Sequence, residues 1–351
     1  MLVDVKAMAD IARDLFAVKV HRELGSAGAQ ALRELITRVR ETHDALTTER
    51  LAKGLTVIRT LDTGSVEAGV APAVFTQTRE LTAWYRQEAG PLSIHFEHNG
   101  TIRAWCAEID TAAINGQFVS YRYSGHQKEQ IITPGGAHSV PTIANFPSYF
   151  AVPYFLDLRE SLVRYGTISV RHAQCDIFRT TWREPARLVF VNKPEATMRR
   201  SLQQYLRASL RDHGPIQVMP EQNVNETKPV DIKVTWTASN RVALIEIKWL
   251  GLSHDATKQT KTPYFAARAK GGAKQLADYL DSYHANDPDT EARGYLVVFD
   301  GRRKGVTPES TSVSYADGFH YANEEIDYPS NLLARHDFDT PVRLFCEPVC
   351  Q

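Results

Sequence analysis

The chain has no excess of charge of either sign, 41 Lys and Arg being matched by 41 Asp and Glu. Without a net field it cannot gather a polyanion over its whole surface, so nucleic-acid binding would have to come from a local patch. Long apolar runs are missing too. The most apolar stretch, Tyr149 to Leu158, is broken by Pro153 and falls well short of the ~18 residues a membrane helix needs. Asp4, Lys6, Asp10, Arg13 and Asp14 interrupt the start of the chain, which argues against a signal-peptide core. The expectation is a cytoplasmic protein with no membrane partner. Cysteine is scarce: Cys106 and Cys175 are isolated, and Cys346 with Cys350 lacks the spacing of paired zinc knuckles. The 12 histidines are scattered, and His95 with His98 would point to opposite faces of a strand, as surface residues rather than ligands. Pro134-Gly135-Gly136 reads as a turn, since no Gly-Lys-Ser/Thr follows to make a phosphate loop. There is no internal repeat and no low-complexity tract.

What is present is an ordinary globular composition, 43% hydrophobic and 23% charged in 351 residues, enough for about two domains. Val5, Met8, Ile11, Leu15 and Val18 form one apolar stripe. After Gly25-Ser26-Ala27-Gly28, residues Leu32, Leu35, Ile36 and Val39 form a second, the pattern of a helical hairpin. Period-two alternation then takes over. Ile94 and Phe96 precede Asn99-Gly100, and Ile102 and Ala104 follow it, which is a hairpin signal. Further strand-like stretches run from Phe118 to Tyr123 and from Tyr165 to Val170. Residues 1–190 are therefore read as an α+β module of unnamed chemistry, 191–305 as a second domain and 306–351 as a C-terminal extension packing on it.

The second domain is the informative one. Asn192, Pro194 and Glu195 open a helix carrying Met198, Leu202, Tyr205, Leu206 and Leu210, closed by His213-Gly214-Pro215. Strand-like stretches follow at Ile216 to Met219, Val230 to Thr237 and Val242 to Trp249, with a turn at Ala238-Ser239-Asn240. A basic loop leads to a helix from Ala273 to His284, then to the apolar run Tyr295 to Phe299 of a buried strand. The order is helix, three strands, helix, strand.

Asp231 opens one of these strands, and Glu246 and Lys248 lie on the next. Strand alternation sends Glu246 and Lys248 to one face and Ile245, Ile247 and Trp249 to the other. Phosphodiester hydrolysis wants such a pairing, because a hard divalent cation must be held by oxygens while a water is aimed at phosphorus. Asp231 and Glu246 supply two carboxylates, the carbonyl of Ile247 a third ligand, and Mg2+ is the natural occupant, with Mn2+ able to substitute. Lys248 would orient or deprotonate the water, or neutralise charge in the transition state.

Asp231, Glu246, Lys248 and the element order around them resemble the PD-(D/E)XK nuclease superfamily, over about 110 residues from Lys193 to Gly305, with Val230 standing between Pro229 and the aspartate. The resemblance implies an α/β restriction-endonuclease-like core after the α+β N-terminal module. It also implies that a carboxylate on the first core helix, here Glu195, joins the metal site. Gln275 and Tyr279, four apart on one helix face, resemble the Gln-x-x-x-Tyr helix of the RecB-like branch, whose Gln and Tyr lie beside the site. Members with an extra domain often serve in restriction, repair or anti-phage defence.

Each residue has a plainer alternative. Glu195 three residues after Asn192 also makes a capping box. Glu221 is a further candidate metal carboxylate or a surface turn, and Tyr279 is core or site. Lys258, Lys261, Arg268, Lys270 and Lys274, with no acidic residue among them, and Arg302, Arg303 and Lys304 after the last strand, are a phosphate path or a solvated face. Tyr264 and Phe265 would stack on an unpaired base or pack locally. The expected function is a Mg2+-dependent nuclease acting on DNA, with residues 1–190 serving recognition, regulation, a protein partner or homo-oligomerisation. The alternatives are a ribonuclease using the same site and an inactive interaction platform.

Overall fold

Apolar residues alternate or recur with helical period along most of the chain, and the computed structural model converts them into two compact units, Met1–Tyr154 and Phe155–Gln351. The structure describes all residues except 1–4, 62–63, 86–89, 126–127, 144–145, 211–215, 224–228, 238, 256, 258–259 and 289. The expected roles of Lys258, Ala238 and the helix stop His213-Gly214-Pro215 lie outside the described residues. Among the described residues no helix is long and apolar enough to cross a membrane.

The first unit holds α1 (Val5–Ala45), β1 (Leu55–Thr60), β2 (Ala73–Phe75), α2 (Thr78–Tyr85), β3 (Leu92–Phe96), β4 (Ile102–Trp105), β5 (Phe118–Tyr123), β6 (Glu129–Thr133) and β7 (Gly136–Ser139). The strands form one sheet in the order β2-β4-β3-β1-β5-β6-β7, with β1 and β3 parallel. Helix α1 is two segments broken at Gly25, whose φ of 68° and ψ of −162° suit a residue without Cβ. The covered row of its first segment is Met8, Ala9, Ala12, Phe16, Val20 and Leu24, whereas Ile11, Leu15 and Val18 are 60%, 50% and 58% exposed. This corrects the expected stripe. The segment carries two apolar rows, and periodicity alone does not say which one faces the sheet. His95 is likewise buried rather than superficial, its Nε2 3.2 Å from Thr60 Oγ1. One core packs Leu92, Ile94 and Phe96 of β3, while a second contains Ile58 and Trp105, so the sheet has no wet face there.

The second unit holds α3 (Tyr154–Tyr165), α4 (Asp176–Arg179), β8 (Phe190–Val191), α5 (Glu195–Ser209), β9 (Ile216–Asn223), β10 (Pro229–Trp236), β11 (Arg241–Asp255), β12 (Thr260–Tyr264), α6 (Ala266–Asn286), β13 (Glu291–Asp300), α7 (Tyr315–Gly318), α8 (Ser330–Leu333) and β14 (Val342–Phe345). Its sheet runs β14-β13-β11-β10-β9, antiparallel from β9 to β11 and parallel from β11 through β13 to β14. The parallel step from β11 to β13 is bridged by α6, as parallel neighbours require.

Several boundaries differ from expectation. Residues 166–170 are a π-helical turn rather than a strand, because a five-residue alternation is too short to discriminate and only Val170 of it is buried. The division falls at Tyr154/Phe155 and not at 190, since Phe178 stacks on Phe299 at 5.4 Å and β8 pairs with β11. Residues 306–351 are not only a covering extension, for β14 is a strand of the sheet itself. The basic loop is instead the β12 hairpin and the first turns of α6, a helix that starts at Ala266 despite Gly271 and Gly272.

Candidate functional site

Strand β10 meets β11 with Ile232 opposite Ile245, so one further step sets Asp231 opposite Glu246. Two carboxylates thus stand side by side for reasons of register alone. Both are buried, Glu246 to 1% exposure, and Lys248 two residues on is also buried. Leu244 and Leu250, of the same parity as Glu246 and Lys248, pack in one core with α6, so this face of β11 lies under that helix.

Every oxygen of the pair has an assignment except one. Asp231 Oδ2 accepts the Ile247 N–H at 2.8 Å, and Asp231 Oδ1 accepts Arg199 Nη1 at 2.9 Å. Glu246 Oε1 accepts from Lys248 Nζ, while Glu246 Oε2 is buried with no hydrogen-bond partner. A buried, unsatisfied carboxylate oxygen is costly. The Glu246 carboxyl is accordingly pushed up to about 8, by burial first and then by the charge of Asp231, against the pull of Lys248. Burial also raises Asp231, opposed by the Ile247 N–H and Arg199 and reinforced by Glu195.

Glu195 lies in the first turn of α5 and makes no cap, since the N-cap is Pro194 without a side-chain bond. Asn192 donates instead to Asp255 Oδ2 at 2.9 Å, and Glu195 accepts Arg268 Nη2 at 2.6 Å. The capping box is therefore not formed. Glu195 acts electrostatically on both Asp231 and Glu246. Glu221, in a left-handed conformation with φ 48°, is exposed and accepts Arg199 Nη2 at 2.5 Å, so Arg199 bridges it to Asp231. Gln275 donates to the Tyr279 hydroxyl at 2.6 Å, and that hydroxyl donates to the Pro229 carbonyl at 3.1 Å. The Gln275–Tyr279 pair thus ties α6 to the start of β10, two residues before Asp231.

The basic residues are dispersed. Lys261 on β12 and Lys274 on α6 are exposed, and Lys270 Nζ is 3.9 Å from Asp327. Arg268, besides its bond to Glu195, lies 4.0 Å over the Tyr264 ring, so Tyr264 is packed and Phe265 is the exposed aromatic. Arg302 is buried against Asp300 and Glu324, and Arg303 is spent on the carbonyls of Arg302 and Cys346. These two are structural and offer no phosphate path, a correction to the expectation for the residues after the last strand.

Two residues of the site were not singled out in the sequence. Arg199 is four residues after Glu195 and so shares its helix face, a spacing that was available to find it. Gly272 is the other. A Cβ there would lie 2.5 Å from Lys248 Cγ, and a pair of glycines inside a helical pattern is the signal of such close approach.

Among the described residues no three His, Cys, Asp or Glu side chains form a ready-made metal cage. The donors nevertheless fit a hard cation, because Glu246 Oε2 is orphaned beside Asp231 and the chemistry of both is oxygen. Compared with family models, curated proteins and solved structures, the chain gives no match, and the functional reading rests on the site itself.

Proposed function

We propose that this chain is a metal-dependent nuclease hydrolysing phosphodiester bonds, with DNA the favoured substrate. The observation that carries it is the orphaned oxygen of Glu246, buried opposite Asp231 and next to Lys248. Asp231 and Glu246 would hold the ion, with Glu195 completing the set from α5. When bound, Mg2+ would supply Lewis-acid polarisation of phosphate and a more acidic water. The chain's own residues do the rest. Lys248 would bring its ammonium to the reacting face, beside Glu246, where it would offset negative charge developing on phosphate. Gln275, through Tyr279, holds β10 and therefore the Asp231 carboxylate in place. Lys261 and Lys274 offer exposed positive charge on β12 and α6, the elements that follow the metal-bearing strand. The antiparallel meander β9–β11 and the crossover through α6 to parallel β13 support the nuclease-type core that the motif resemblance implies. The unit Met1–Tyr154 is assigned target recognition, partner binding or regulation.

The test is incubation of the purified chain with plasmid, linear duplex, single-stranded DNA and RNA in Mg2+, Mn2+ or EDTA. Cleavage should require the ion, and Asp231→Asn, Glu246→Gln and Lys248→Met should each lower it by ~100-fold or more. Cleavage that persists in EDTA would overturn the metal reading. Preference for RNA would move the substrate class and leave the site unchanged.

A further inference from the structure

The carboxylates of the site are countered from within the chain. Asp231, Glu246, Glu195 and Glu221 face Arg199, Lys248 and Arg268, and each carboxylate has a cationic partner. A divalent ion needs several oxygens at short range, and only Glu246 Oε2 among those of the central pair stands without a donor. The carboxylate that stands opposite it on the neighbouring strand is Asp231. Its Oδ2 is held by the main-chain N–H of Ile247, inside the sheet, and its Oδ1 by the side chain of Arg199. The main chain cannot leave without disturbing β11, whereas a guanidinium can turn. Arg199 has somewhere to remain, since its Nη2 is bonded at 2.5 Å to Glu221, which is exposed.

We propose that Arg199 is the resident counter-cation of this site and competes with the divalent ion for Asp231. The ion enters as Arg199 Nη1 gives up Asp231 Oδ1, and Glu221 keeps the released guanidinium beside the site. This rests on the metal-dependent reading above and extends it to what controls occupancy. Because Ile247 still holds Oδ2, the Asp231 carboxylate stays oriented when Arg199 is removed. The consequence runs against the usual one for trimming a site: loss of Arg199 tightens metal binding.

The experiment is Mn2+ binding to the full chain, by calorimetry and by the electron-paramagnetic signal of free Mn2+, for the wild type, Arg199→Gln, Arg199→Lys and Glu246→Gln. Arg199→Gln should bind at least ~10-fold tighter, the scale of one charge-assisted hydrogen bond, with Arg199→Lys between it and the wild type. In EDTA the Arg199→Gln protein should melt below the wild type, and its melting temperature should rise more on adding Mn2+. Equal or weaker binding in both Arg199 variants, with wild-type binding lost in Glu246→Gln, would overturn the competition and leave the metal site standing. Absence of Mn2+ binding in every protein would overturn the metal reading and this inference together. Arg199→Lys keeps the test decisive if Arg199→Gln does not fold.

Discussion

His95 and Glu246 are buried ionisable groups that burial drives in opposite directions. Each is pushed toward its neutral form, His95 down to about 4, aided by Arg59 and Arg103 against Glu97, and Glu246 up to about 8. For His95 the unfolded chain takes up a proton near 6.5 and the folded one near 4, so between these values the unfolded state binds more protons. Stability from this residue is fully present above pH 6.5 and is lost as pH falls toward 4. His95→Gln should therefore flatten the pH dependence of the melting temperature in that window relative to the wild type, and an unaltered slope would contradict a neutral buried imidazole. Glu195 makes a second test at this scale. It caps nothing and its partner Arg268 is partly exposed, so Glu195→Gln should cost at most about 1 kcal/mol of stability. If Glu195 completes the ion site, Mn2+ affinity should fall clearly in the same protein. Unchanged affinity would return Glu195 to a plain ion pair.

The two adjacent glycines of α6 separate helix propensity from tertiary fit. Gly271 has nothing within 4 Å of a built Cβ and is exposed, whereas a Cβ on Gly272 would meet Lys248 Cγ at 2.5 Å and Leu296 Cδ1 at 3.1 Å. Gly271→Ala should stabilise by about 0.5–1 kcal/mol, the usual gain in a helix interior. Gly272→Ala should instead lower both melting temperature and cleavage, since Lys248 must move. Equal effects at the two positions would show that Lys248 is not confined by the helix. The same helix and β12 carry the exposed cations Lys261 and Lys274. If these touch phosphate, the double alanine variant, measured on duplex DNA in Ca2+, should reduce the slope of log affinity against log salt by about 0.9 for each phosphate no longer neutralised. An unchanged slope would make them a solvated face.

At the scale of the whole molecule, two of the described cores each lie within one unit: one runs from Met8 to Phe150, another from Val230 to Phe338. A fragment spanning 155–351 should accordingly fold and keep the Mn2+ affinity of the full chain. A fragment spanning 191–305 should not. It lacks Phe190, whose ring meets that of Trp249 at 5.4 Å, and β14, whose Arg343 pairs with the buried Asp300. Circular dichroism melts of the two fragments distinguish these outcomes, and a cooperative melt from 191–305 would show those flanks to be dispensable.

Features that depend on near neighbours in the chain were legible before any fold was known. Period-two alternation put Glu246 and Lys248 on one face of β11, and Asn99-Gly100 set the β3–β4 hairpin. The glycine break in α1 is equally local. Folding had to settle which apolar row of α1 is covered, that residues 166–170 turn rather than extend, and that β14 enters the sheet from about forty residues beyond β13. It also settled that Asn192 bonds Asp255 instead of capping Glu195, that Arg302 pairs with Glu324 across 22 positions, and that Arg199 reaches Asp231 across 32 positions. The physical reason is common to all of these. Backbone periodicity and turn chemistry are written within a few residues, whereas burial and charge pairing are set by groups that only folding brings together, and the lower dielectric of the interior then decides which pairs must form.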